Sequence, residues 1–337
     1  MDSDRRAEVD AGRQSSPLTE RILGRLGRPR WLWISLWSLV PLISPLVFGT
    51  AIRVSRQPLG TAEFLNLVTT QAVLAYVCFI LLWGSGVLDR QARVVAQELA
   101  RLAPGDPPVD LFGRIGSALG PLVLTGIVVA IISAGGWATY GPIPPLAALP
   151  LLVVYMTPIL TFVWIYLTIL ADLDRLGRQP LALDLFPQDR TLGLEKLGSL
   201  ASTGLGLLLL AAVPVLLAGA DEPVTLGISL AIVAITVALF VVSMWRMHLQ
   251  MAAAKARYVS LVWRLYADAY APIREEPSVQ VLETQATALR AAQSLDERAH
   301  NLPTWPIDEG TLRFIAVVIT GVVTGLIVRG LFAAFGF

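Results

Sequence analysis

The sequence predicts an all-α, polytopic membrane helix bundle of about seven spans, and three observations carry that prediction. Hydrophobic residues make up 55% of the 337-residue chain and charged residues only 15%, with a mean hydropathy of +0.65. Soluble domains are nearer a quarter charged. Seven apolar runs, at about 31–51, 64–87, 116–138, 147–171, 198–219, 224–245 and 311–333, each reach the length of a span. About 20 apolar residues are needed to cross roughly 30 Å of hydrocarbon. The basic residues alternate from loop to loop. The tail to residue 30 and the segments 88–115, 172–197 and 246–313 hold seven, four, four and eight Arg and Lys, against three on the other side: Arg53, Arg56 and Arg329. The positive-inside rule then places the N-terminus in the cytosol and the C-terminus outside.

Four regions follow: a cytosolic tail (1–30), six transmembrane helices (31–245), a cytosolic helical segment (246–308) and the seventh span (309–337). In the tail, residues 17–30 read as a short basic helix. Leu18, Ile22, Leu23 and Leu26 share a face and Arg21, Arg25 and Arg28 lie elsewhere. Such a helix beside a span is expected to lie on the anionic leaflet, with Trp31, Trp33 and Trp37 continuing into an aromatic belt. No cleavable signal precedes the first run, so that span is expected to serve as an uncleaved anchor. Spans three and four are joined by the proline-rich Tyr140-Gly141-Pro142-Ile143-Pro144-Pro145, and spans five and six by Ala220-Asp221-Glu222-Pro223, a turn that forces an antiparallel hairpin. Pro41, Pro45, Pro121, Pro158 and Pro214 lie within spans, which predicts several kinks.

Span six continues without a breaker to about Ala271, with Tyr258, Leu261, Val262 and Leu265 at helical spacing. Pro272 and Pro277 bracket a break. A second helix over about 278–300 carries Val281, Leu282, Ala288, Leu289, Ala292 and Leu295. The two pack as a hairpin or on copies from other subunits. Leu302-Pro303-Thr304-Trp305-Pro306-Ile307-Asp308 then returns the chain to the bilayer, with Trp305 at the interface and Asp308 capping span seven. This LPxWPxD-like segment, together with Pro187-Gln188-Asp189-Arg190, Gly193-Leu194 and Leu197-Gly198, resembles stretches of bacterial multi-pass membrane proteins without an assigned activity. The resemblance implies a similar helical layout and a bacterial inner-membrane setting. The excess of Arg, 24 of the 26 basic residues, fits a GC-rich bacterial genome.

Several chemistries lack their residues. The net charge of +1 offers nothing to a nucleic acid. With one cysteine, Cys78, and two histidines, His248 and His300, there is no Cys/His metal cluster and no intrachain disulfide. No cofactor is expected. Both histidines fall among charged neighbours, where solvated faces are expected. No charged residue lies centrally in spans one to six, although such residues mark proton relays and ion pathways. Arg329, sixteen residues and about 24 Å beyond Arg313, reads as a snorkelling anchor at the outer boundary. Its functional alternative is the mouth of an anion-selective pore. Asp172 and Asp174, with Asp184 and Asp189 on the same loop, could hold Mg²⁺ for phosphoryl chemistry, but interleaved Arg175, Arg178 and Arg190 make an ordinary charged loop the stronger reading. Small-residue stripes mark helix packing: Gly321 and Gly325 in span seven; Gly198, Ser202 and Gly206 in span five; Gly126, Ala130 and Ala134 in span three. Thr157, Thr161 and Thr168, and Ser229, Thr236 and Ser243, are expected to bond back to their own helices.

Three roles remain. An oligomeric, channel-like or signalling protein is suggested by a layout similar to that of the insect chemoreceptor channels, a similarity that implies a pore lined by the last helix. A scaffold or sensor would bind a cytosolic protein through 246–308, and exposed apolar residues there would favour it. A lipid-substrate enzyme or carrier would use the Asp172/Asp174 loop. A non-enzymatic role is expected, with the bilayer, further copies of the chain and a cytosolic protein as partners.

Overall fold

The computed structural model describes residues 16–26, 29–54, 60–102, 112–141, 143–179, 194–218, 223–275, 278–302 and 304–306, and in the last segment 310, 313, 316–317, 319–321 and 324. Helices are the only regular structure among them: α1 Leu18–Arg25, α2 Arg30–Ser38, α3 Ser44–Val54, α4 Thr61–Leu102, α5 Leu119–Tyr140, α6 Ile143–Leu176, α7 Glu195–Ala218, α8 Pro223–Glu275 and α9 Val279–Asn301, with 3₁₀ turns at Val40–Ile43 and Gly113–Gly116. Among the described residues six stretches are long and apolar enough to span a membrane: Arg30–Ala51, Phe64–Gln97, Leu119–Ala138, Pro145–Leu176, Glu195–Ala218 and Gly227–Glu275. The protein is therefore an all-α, multi-pass membrane bundle. The expected seventh span lies largely outside the described residues; those described from 310 to 324 are helical and exposed.

Proline placement explains where the spans bend. Pro41 cannot donate a backbone hydrogen bond, and the first span is broken there into α2, a 3₁₀ turn and α3. Pro45 and Pro121 fall in the first turns of α3 and α5, where no intrahelical donor is needed, so neither breaks its helix. Pro158 and Pro214 sit inside the continuous α6 and α7. Between α5 and α6, Gly141 takes φ +77°, which favours glycine. Its N–H closes on Trp137 O at 3.0 Å. Two expected loops are shorter than the sequence suggested. Helix α4 runs on to Leu102, keeping Ala92 and Val95 buried, and α6 runs on to Leu176. The apolar period continues beyond the hydrocarbon, so those residues pack on neighbouring helices rather than forming loop.

Helix α6 is the hub, touching α3, α4, α5 and α8. Phe162, Ile165, Tyr166, Ile169 and Leu173 recur every three or four residues on its inner face. They meet Leu81 and Leu88 of α4, Leu200 and Leu205 of α7, and Met244, Met247 and Met251 of α8 in one core. Helix α7 is the most enclosed span, and its predicted stripe of Gly198, Ser202 and Gly206 is buried. A close approach is also made at Gly204, where a Cβ would come within 2.4 Å of the Tyr166 ring. Gly120 likewise admits the Trp164 ring, at 2.3 Å. Gly126 of the span-three stripe has open space beside it. Leu122, Ile127 and Ile131 of α5 and Ile228, Ile232, Ile235 and Val242 of α8 are exposed. An apolar face turned outward is what a lipid solvent requires.

Helix α1 differs from the expected leaflet-bound helix. Leu23 packs against Ile34 and Leu82, with Trp33 and Trp37 alongside. Arg21 Nη2 donates to Gly116 O at 2.9 Å, and Glu20 pairs with Arg30 at 2.6 Å. Leu26 stays exposed. The apolar face is shared, part of it turned into the bundle.

Candidate functional site

The chemistry-bearing residues outside the spans gather at one end of the bundle, where α6 ends, α8 leaves the span and α9 folds back along it. The physical reason α8 continues is the lack of a breaker before Pro272, and even that proline lies inside the helix, which ends at Glu275. Of the two arrangements open to the sequence, the chain takes the hairpin: α9 packs on its own α8. Tyr258 and Val262 of α8 and Ala299 of α9 are its buried centre, joined by Val259, Tyr266, Leu295 and Leu302. The seam is narrower than the apolar faces that predicted it. A helix pair buries one stripe at i, i+3 and i+4 spacing, so Leu265 and Leu282 are left outside, 41% and 47% exposed.

The returning segment is latched onto α8. Lys255 Nζ donates to His300 O at 2.9 Å and to Leu302 O at 2.8 Å. His248 Nδ1 lies 2.8 Å from Thr304 O, and its ring stacks on Trp305 with centroids 4.5 Å apart. Trp245 meets Trp305 edge-on. His248 is thus half-buried and engaged, not on a solvated face. His300 is exposed beside Asp296, as the sequence suggested.

The two carboxylates singled out from the sequence hold structure together. Asp172 is buried, its Oδ2 accepting from Phe112 N at 3.1 Å and its Oδ1 lying 3.6 Å from Arg175. Phe112 has φ +65°, an unusual conformation for a side chain of that size. The Asp172 bond fixes that turn while the Phe112 ring fills the core. Asp174 accepts from Arg178 Nε at 3.0 Å and pairs with Arg246 of α8 at 3.1 Å. Gln250 Nε2 donates to Gly177 O and Gln179 O at 2.6 and 2.7 Å, satisfying carbonyls at the end of α6. No group of three or more His, Cys, Asp or Glu able to hold a metal occurs among the described residues. Asp184, Asp189, Asp308, Gly325, Arg329 and the segment 187–193 lie outside them.

Beyond the seam, the hairpin presents aromatic residues outward. Trp263, Tyr270 and Val279 are 64%, 59% and 74% exposed. Trp263, Tyr266, Ala267 and Tyr270 line a shallow hollow with Asp296 at its edge. Sequence reasoning missed Gln250, Gly177, Lys255 and Phe112. Only Lys255, one of the charged positions between the apolar ones of α8, gave any signal.

No protein-family model matches the chain, and neither a curated protein nor a solved structure is significantly similar to it.

Proposed function

We propose that this is a non-enzymatic transmembrane signalling or scaffold protein of a bacterial inner membrane, working through residues 246–308 as a cytosolic protein-binding surface. One observation carries the reading: an unbroken 53-residue helix, α8, runs from the far side of the bundle into a hairpin whose outer face displays Trp263, Tyr270 and Leu265. Large aromatic residues clustered on a water-exposed helix face are the usual anchors of protein–protein contacts. A continuous helix also transmits displacement, because it has no joint to absorb it. The basic loops on the hairpin side support a cytosolic location. Against the enzyme reading, Asp172 and Asp174 are committed to Phe112, Arg175, Arg178 and Arg246.

The test is photocrosslinking in the native membrane with p-benzoylphenylalanine at position 263 or 270. A discrete adduct of defined mass at both positions, suppressed by Leu265→Asp, is the expected result. Absence of any adduct at both, with the protein at its parental level, would overturn the proposal.

A further inference from the structure

At the end of the bundle away from the hairpin lies a cavity of about 360 Å³ between α3, α4, α5 and α6. Its wall is chiefly apolar, with Leu67, Ile132 and Leu152 among the lining residues. Four polar side chains interrupt it: Ser44, Gln71, Ser133 and Tyr155. Among the described residues, no Asp, Glu, Lys, Arg or His lines it.

Two of those side chains carry buried polar atoms that no group of the protein satisfies. Gln71 is only 9% exposed, and its Oε1 is buried without a hydrogen-bond partner; Ser133 Oγ is also buried and unpartnered. Thr125 Oγ1, Tyr166 Oη and Ser202 Oγ are also buried without a partner, whereas other span hydroxyls are satisfied locally. Thr157 and Thr161 donate to Val153 O and Thr157 O at 2.7 Å, Ser243 to Leu239 O at 2.8 Å, and Ser44, at the cavity itself, to Pro41 O at 2.8 Å. Buried polar atoms left unpaired are costly and each calls for a reason, more so where lipid replaces water around the protein. Both orphans on one cavity wall share a reason if something in the cavity completes them. The terminal amide torsion of glutamine is soft, so a small rotation brings either end of the Gln71 amide to the cavity.

We infer that this cavity is a binding site for an uncharged amphiphile: an apolar chain or ring bearing one hydroxyl or amide group, which bonds to Gln71 and Ser133. The class follows from the wall. An apolar lining selects an apolar body, and the donor and acceptor groups of Gln71 and Ser133 select a polar head able to do both. A carboxylate or ammonium head would be desolvated with no opposite charge among the described lining residues to receive it. The volume falls at the small end of the roughly 300–1,000 Å³ typical of ligand pockets, which excludes a whole phospholipid. At the cavity rim Gly136 lets α5 approach α6, since a Cβ there would stand 3.2 Å from Pro145 Cγ. The site stands independently of the hairpin surface.

The probe is a diazirine-bearing n-alkanol, applied to the full chain in lipid nanodiscs, with labelled peptides mapped by mass spectrometry. Saturable labelling within 132–136 or 67–71 is expected, blocked by excess n-decanol and not by n-decanoate. Gln71→Leu should reduce it about tenfold, the worth of one good hydrogen bond, and leave thermal stability equal or higher because an orphan amide has been removed. Labelling that fails to saturate, which is the behaviour of a cavity filled by water alone, would overturn the inference. So would equal competition by decanoate, or full labelling of a folded Gln71→Leu protein.

Discussion

Asp172 shows how a residue's type can suggest chemistry while its neighbours assign it to structure. As one of several loop carboxylates it left Mg²⁺ chemistry open beside the stronger reading of a charged loop, and its carboxylate holds the left-handed Phe112 through the backbone N–H. Removing one partner of a buried hydrogen bond leaves the other unsatisfied, at a cost of about 1–3 kcal/mol. Asp172→Ala is therefore expected to destabilise the protein by about 2 kcal/mol in detergent unfolding, with Asp172→Asn intermediate; an unchanged midpoint in both would refute the role. The turn was illegible in the sequence because nothing marks Phe112 for a positive φ. Glu20 makes a second residue-scale case. Burial holds its carboxyl above the usual range, outweighing the opposing pull of Arg30, with Asp89 and Arg90 also acting on it. An acid whose pKa is raised on folding binds more protons folded than unfolded. The docking of α1 is thus strongest below the ordinary carboxyl value and weakens as pH rises through the raised one. A spin label at Gly24, where a side chain meets nothing within 4 Å, should become more mobile over that interval in a Cys78→Ser background. With Glu20→Gln the mobility should stay flat; an identical pH profile would count against the assignment.

At the scale of elements, the helices themselves were legible, since hydrophobic length and period set them directly. Their ends were not. The sequence placed the boundaries of α4 and α6 where hydrophobicity falls, but the helices continue to Leu102 and Leu176 because tertiary packing and capping groups from other elements decide where a helix stops. Gln250, reaching from α8 to the last carbonyls of α6, is such a group, and its role depends on an approach of two helices that no local pattern encodes. Gly177 permits that approach: a Cβ there would lie 2.8 Å from Arg246 Cβ and 3.3 Å from Met247 N. The small-residue stripe of α7 was readable as packing, whereas the close contact of Gly204 with the buried Tyr166 ring was not. Overpacking in a close-packed interior costs about 1–3 kcal/mol. Gly204→Ala should fall in that range even though alanine is the better helix former. Gly126→Ala, with open space beside it, should be neutral or slightly stabilising. The pair is compared by thermal unfolding, and equal midpoints would show that the Tyr166 contact does not constrain α7.

At the scale of the whole molecule, the bundle accounts for the burial of six spans and leaves the seventh to be explained. The described residues Ala316, Val317, Ile319, Thr320 and Gly321 are all exposed. At 3.6 residues per turn these described residues share one broad face of the helix, and that face is turned away from the bundle. Gly321 has nothing within 4 Å of where a Cβ would stand. Lipid gains nothing from a glycine, whereas a second helix gains close backbone approach from one. The stripe that reads in sequence as internal packing is thus turned outward at Gly321, which favours contact between copies of the chain. In a Cys78→Ser background, where the lone native thiol is removed, Thr324→Cys sits one turn beyond Gly321 and is itself exposed. Oxidation of native membranes is expected to produce a disulfide-linked dimer, abolished by Gly321→Leu because the larger side chain holds the helices apart. The hairpin supplies the internal control. Its helices already pack on one another within a single chain, so a cysteine at exposed Glu297 of α9 should remain unlinked under the same oxidation. A dimer through span seven with a monomeric hairpin describes copies joined in the membrane whose cytosolic faces stay open to another protein. Monomer at both positions would make span seven a lone lipid-facing helix, and dimer at both would make the hairpin itself the subunit contact.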